Sequence, residues 1–151
     1  MNYWGRGMKI NFFTLTVLIL FSFSNFAEAK DSDIIKYRQN LMKSLQHHAG
    51  AVGSILRKKV EFNDNLAYHA DAIEAISKSA QNAFKPVVLG GTASPEIWKN
   101  WDDFYLKFGN LAESAAEVAQ VARTEGVNNA TKKVSSLFVC KSCHDKYRIE
   151  K

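Results

Sequence analysis

"FKPVVLGGTASPEIW", residues 84–98, holds both prolines of the chain, Pro86 and Pro95, together with Gly90 and Gly91. Proline removes a backbone donor and glycine adds conformational freedom, so this stretch interrupts whatever regular structure lies on either side. Its short apolar run, Val87 to Leu89, is bracketed by Pro and Gly and does not read as a strand. Its last five residues are instead a helix start, with Ser94 as N-cap, Pro95 at the first helical position and Glu96 in the first turn. The chain therefore divides into two halves at this point.

Beyond the break, Trp98, Trp101, Tyr105, Phe108, Ala112, Ala115 and Ala119 keep helical spacing until Gly126 ends the helix. Asn128 can cap a further helix carrying Ala130, Val134 and Leu137. Before the break, Asn63 reads as the N-cap of a helix whose inward face is Leu66, Ile73, Ile76, Ala80 and Ala83 or Phe84. Earlier still, Ile34, Leu41, Met42, Leu45, Ala49, Val52 and Leu56 form one apolar face over about seven turns. The basic run Arg57-Lys58-Lys59 closes that helix where cations favour the carbonyl end. Four helices with short connections and almost no strand signal predict an all-α fold, an antiparallel up-down-up-down four-helix bundle.

The N-terminus has a different composition. Arg6 and Lys9 precede an apolar stretch from Phe12 to Phe23 and the small-residue triplet Ala27-Glu28-Ala29. This is the layout of a secretory signal peptide over residues 1–29, cleaved before Lys30, with Met8 as good a start as Met1. Thr14, Thr16 and Ser22 interrupt the apolar stretch, which falls short of the roughly 20 residues that span a bilayer. Residues 30–151 then form one domain, exported to the periplasm and without a membrane span after cleavage. The whole chain carries +5, and losing Arg6, Lys9 and Glu28 lowers this by one. The positive residues are spread along the chain, which argues against a nucleic-acid partner and suits an acidic protein partner.

The only two cysteines lie in "VCKSCHDKYR", residues 139–148. A disulfide between Cys140 and Cys143 would close too small a loop to restrict the unfolded chain much. Zinc would want four ligands, and His47, His48 and His69 show no second knuckle spacing. A thioredoxin-like pair belongs at a helix N-terminus after a strand, whereas this one lies near the end of the last helix. At about 100° per residue, Cys140, Cys143 and His144 project within one arc of about 100°. Two thiols so placed can form thioethers with porphyrin vinyl groups while the imidazole reaches the iron. Cys-x-x-Cys-His is the attachment signature of c-type haem, made on exported chains.

With "IKYRQNLM" in the first helix, "SPEIW" opening the third and "CKSCHDKYR" in the fourth, the mature chain resembles the class II cytochromes c, the group of cytochrome c′ and its low-spin relatives. The resemblance implies one covalently bound haem c and a periplasmic, non-enzymatic carrier of single electrons between redox partner proteins. It implies His144 as proximal iron ligand, Arg148 beside that imidazole, and Arg38 and Gln39 near a haem propionate. Met42 matches the position facing the iron on its distal side. Low-spin members place a ligating Met there, whereas high-spin members leave the sixth site empty for nitric oxide or carbon monoxide, and Met occurs in both. Many members form homodimers, though the outer face of the first helix shows no clear patch. The chain departs from the family where a Gly usually follows the first helix, having Lys58-Lys59 instead.

The remaining histidines, His47, His48 and His69, are expected to be hydrogen-bonded or solvated. Trp98, Trp101, Tyr105 and Phe108 are expected to form bundle core and pocket wall. No Ser-His-Asp or paired-carboxylate arrangement and no Gly-rich phosphate loop is present.

Overall fold

Helix α1, Asp31–Leu56, ends in a tight reversal. The Lys58 N–H donates to Ile55 O at 2.9 Å and the Lys59 N–H to Ser54 O at 3.0 Å. This closure requires a left-handed residue, and Lys58 takes it at φ 52°. A lysine thus adopts a conformation that favours glycine. The computed structural model describes residues 29–150, so the expected signal peptide lies outside the described residues apart from Ala29.

Helix α2, Asn65–Ala83, follows after a short loop. Asn63 contributes only its carbonyl to the start of that helix, accepting from the Leu66 N–H at 3.1 Å, so the expected side-chain cap is not made. The stretch 84–95 then crosses the end of the bundle. Ser94 caps the next turn as its sequence suggests, its Oγ accepting from the Glu96 N–H at 3.2 Å. That turn is a short piece, α3 (Glu96–Lys99), and Asn100 at φ −123°, ψ 45° separates it from α4, Trp101–Thr124. Gly126, at φ 84°, turns the chain into α5, Val127–Lys133. It occupies the cap position expected of Asn128. A 3₁₀ turn, Val134–Leu137, and two irregular residues lead to α6, Cys140–Tyr147. The predicted third and fourth helices are therefore each broken, but their rods keep the antiparallel four-helix order.

Helix α2 is the central strut, packing on α1 and on α4, and α5 packs on α4. Ala70, Ala80, Ala112, Ala115 and Ala119 are buried, and such small side chains let neighbouring helices approach closely. One core cluster joins Val52 and Ile55 of α1, Leu66 and Ile73 of α2, Val118 of α4, and Val134 and Leu137 of the 3₁₀ turn. Most of these are 4% exposed or less, so this end is sealed. The other cluster is aromatic: Phe84, Ile97, Phe104, Phe108 and Tyr147. Phe104 meets Phe84, Phe108 and Tyr147 edge-on at 5.1 to 5.2 Å, a geometry that adds roughly 0.5–1.5 kcal/mol per pair to the area term.

The inward stripe runs beside the expected one: spacing from Trp98 points to Tyr105, yet Phe104 is 3% exposed and Tyr105 is 44% exposed. The buried face starts at Ile97 and continues through Phe104, Phe108, Ala112, Ala115 and Ala119, seven, four, four, three and four residues on.

Candidate functional site

The rim of the aromatic cluster brings the expected site residues together. Leu41, Met42 and Leu45 from α1, Trp98 from α3, Trp101 from α4 and Cys143 from α6 all lie partly buried against it. Helix α1 makes its main packing with α2, so its Leu41–Met42–Leu45 face stays half open. The result is an apolar wall with the Cys143 thiol and the Met42 thioether on its edge, and Cys140 exposed one turn before Cys143.

On α6, Cys140 is exposed and Cys143 is half-buried, and no disulfide joins them. Burial pushes the Cys143 thiol up, while the nearby Lys107 charge pulls the other way. A thiol held protonated in this way is a poor redox nucleophile. His144 is exposed at the surface of α6. Shielding of its ring, followed by the Arg148 charge, lowers its pKa from the ordinary histidine value, which keeps a nitrogen lone pair free for a metal.

The Arg148 charge reaches His144, but Arg148 stands outside the helix that carries His144. It is the residue at which the chain leaves α6, at φ −118°, ψ 132°. Its N–H still closes on His144 O at 3.0 Å, and it pairs with Ala93 in an antiparallel bridge. Around that bridge the Ser94 N–H donates to Tyr147 O at 3.0 Å and the Ile149 N–H to Thr92 O at 2.9 Å. The C-terminal strand-like segment is thus tied to the crossing loop.

Arg38 is mainly a strut. Its side chain is 3% exposed, with Nε donating to Ala83 O at 2.9 Å, Nη1 to Val88 O at 2.7 Å and Nη2 to Pro86 O at 2.7 Å. The guanidinium also lies over the Phe84 and Trp98 rings, 4.8 and 5.3 Å from their centroids. Burial lowers its pKa and the Asp31 charge partly restores it. A guanidinium has five N–H donors; two remain for an external carboxylate, so the expected propionate contact is at most a secondary role. Gln39 is exposed and lies against the crossing loop: a Cβ at Gly91 would stand 3.2 Å from its Nε2.

His48 and His69 meet across α1 and α2 with Nδ1 atoms 3.0 Å apart, whereas His47 is exposed. Three residues missed in the sequence also belong near the site. Tyr147 is buried and its hydroxyl donates to Asp103, and Lys107 sits by Cys143. Asp103 reads in sequence only as a first-turn acid of α4, so periodicity held no signal for it.

The donor set fits a covalently attached haem: two thiols one helical turn apart, an imidazole beside them, a thioether on α1 and an aromatic wall between. The family model for cytochrome c′ matches residues 33–148. A cytochrome c′ of Pararhodospirillum photometricum is 30% identical over 119 residues, covering 76% of this chain and 94% of that one. A cytochrome c-556 of Agrobacterium fabrum is 31% identical over 143 residues, covering 91% and 96%. The solved ferric cytochrome c prime of Alcaligenes xylosoxidans superposes with a TM-score of 0.73 at 25% identity, covering 82% of this chain and 98% of that one.

Proposed function

The chain belongs to the cytochrome c′ family, and on that premise we propose that it is a mono-haem electron carrier in which His144 and Met42 would ligate the iron. Cys140 and Cys143 would hold the haem c through thioethers. When bound, the group supplies a one-electron iron couple whose potential a Met ligand raises. The observation that carries the reading is that Met42 on α1 and Cys143 on α6 border one aromatic cluster.

The chain's own residues do the rest. Phe84, Phe104, Phe108 and Trp98 exclude water from the wall, which sharpens every electrostatic interaction beside it. Arg148 sets a positive charge near His144. Gln39 and the two spare N–H groups of Arg38 are available to haem carboxylates. Members of the family are periplasmic, and among the described residues no helix is long and apolar enough to cross a membrane. Export by a signal peptide over residues 1–29 completes the reading. The net positive charge of the mature chain, one less than the +5 of the full sequence, suits acidic redox partners.

Optical spectra of the purified ferric and ferrous protein, with those of Met42→Ala, test the assignment. The expected result is a low-spin parent and a high-spin variant that binds carbon monoxide. A parent without a Soret band removes the haem, and a variant that stays low-spin removes Met42 as ligand. A high-spin parent that readily takes carbon monoxide assigns the site to diatomic gas binding instead.

A further inference from the structure

Resting on the haem reading above, we propose that Asp103 on α4 is a positioning residue for His144, its carboxylate setting where α6 stands against the bundle. Helix α6 has 8 residues and follows an irregular link at Phe138 and Val139. A helix of about two turns does not hold itself in water, so its orientation comes from what grips it.

The grip is at its last turn. Tyr147 is 3% exposed, its ring edge-on to Phe104 at 5.1 Å, and its hydroxyl donates to Asp103 Oδ2. The same oxygen accepts from Lys146 Nζ at 3.1 Å, and Lys107 Nζ lies 3.6 Å from Oδ1. Tyr147 stands three residues after His144, one turn along the helix, so anchoring its ring and hydroxyl sets the rotation of α6 about its axis. That rotation decides where His144 and Cys143 point.

Most exposed ion pairs are worth little, and the Lys146 and Lys107 contacts alone would fall in that class. The tyrosine separates Asp103 from them. Its ring is buried against Phe104 while its hydroxyl reaches out to the Asp103 carboxylate, so this one bond ties a packed side chain of α6 directly to α4. Lys107 is also close enough to Cys143 for its charge to act on that sulfur. Loss of the Asp103 charge would therefore leave two lysines unpaired beside the haem-bearing turn.

The test uses the haem-loaded protein and four variants. Tyr147→Phe keeps the ring and removes the donor, Asp103→Ala removes the acceptor, and Asp103→Glu restores it. Arg123→Ala breaks an exposed pair with Asp71 away from the site and serves as control. Reduction potential, visible spectrum and amide hydrogen exchange over residues 143–148 are read together. Tyr147→Phe and Asp103→Ala are expected to shift the potential and spectrum and to speed α6 exchange about tenfold relative to α2. Asp103→Glu is expected to return all three toward the parent, and Arg123→Ala to leave them unchanged. The proposal is overturned if the first two variants lower the melting temperature yet keep the parent's potential, spectrum and α6 exchange. Should Asp103→Ala not fold, Tyr147→Phe alone decides. A parent without a Soret band would overturn the haem reading itself, a result separate from a haem-loaded Tyr147→Phe that behaves like the parent.

Discussion

Replacing Arg38 by Met tests the strut that holds the crossing loop. The guanidinium makes three hydrogen bonds to backbone carbonyls at 2.7 to 2.9 Å, and its side chain is 3% exposed. Hydrogen bonds to a charged group contribute about 1.5–3 kcal/mol each, and removing the arginine also removes the cost of burying its charge. The Val88 carbonyl is bonded in a buried position and would be left without a partner, whereas the Ala83 and Pro86 carbonyls are better placed to recruit water. A net loss of about 2–4 kcal/mol follows, a large share of a total that is about 5–15 kcal/mol for most domains. For a domain of this size it corresponds to a fall in Tm of about 8–16 °C. Urea unfolding of the haem-loaded protein, followed by circular dichroism, measures it. Arg38→Lys is the discriminating partner: it keeps a charge but not the planar fork, and should lose at least as much as Arg38→Met because one ammonium cannot serve three carbonyls from that position. A loss below about 0.5 kcal/mol for Arg38→Met, the range of an ordinary surface change, or a Lys variant as stable as the parent, would refute the strut.

Two further outcomes follow from the backbone and the histidine pair. Lys58→Gly should stabilise the fold by about 0.5–1 kcal/mol, because Lys58 sits at φ 52°, where a side chain is strained and glycine is not; no gain in urea midpoint would contradict this. Burial, followed by the neighbouring His48, lowers the pKa of His69 from 6.5, so the unfolded chain binds more protons than the folded one. Stability from this group is therefore full above about pH 6.5 and is lost as pH falls through the lowered value. Between about pH 7.5 and pH 5 the parent should lose more stability than His69→Gln, and equal slopes for the two would exclude the effect.

The helical period was enough to find the bundle because the buried residues of α2, Leu66, Ala70, Ile73, Ser77 and Ala80, and of α4, Phe108, Ala112, Ala115 and Ala119, recur at 3 and 4 residue steps. It failed where two adjacent faces were both apolar. Ile97, Phe104 and Phe108 are buried while Tyr105 is exposed, and a stripe started on Trp98 satisfies the same three and four residue steps as one started on Ile97. The Cys-x-x-Cys-His turn was legible because its chemistry is local to five residues. The role of Arg38 was not, since the carbonyls it holds lie 45 to 50 residues away and loop carbonyls have no sequence signal. Asp103 and Tyr147 were hidden for the same reason, being 44 residues apart.

One asymmetry along α1 ties fold to function. By sequence, Leu41 and Met42 are as apolar as Val52 and Ile55. Yet Val52 and Ile55 are 1% and 4% exposed inside a cluster closed by α2, α4 and the 3₁₀ turn, while Leu41 and Met42 are only partly buried on the aromatic rim and Leu45 bridges the two clusters. Two partly open apolar side chains forgo up to roughly 1 kcal/mol each of burial, a cost that a self-contained bundle would remove by drawing α1 inward. Here the turn at Lys58 and the Arg38 clamp on the crossing loop hold the two ends of α1 to the rest. Met42 thereby stays on a wall broad enough for a flat apolar group, with the Cys143 turn on its other edge. Attachment of such a group would cover the same surface, so the haem and the bundle should stabilise one another.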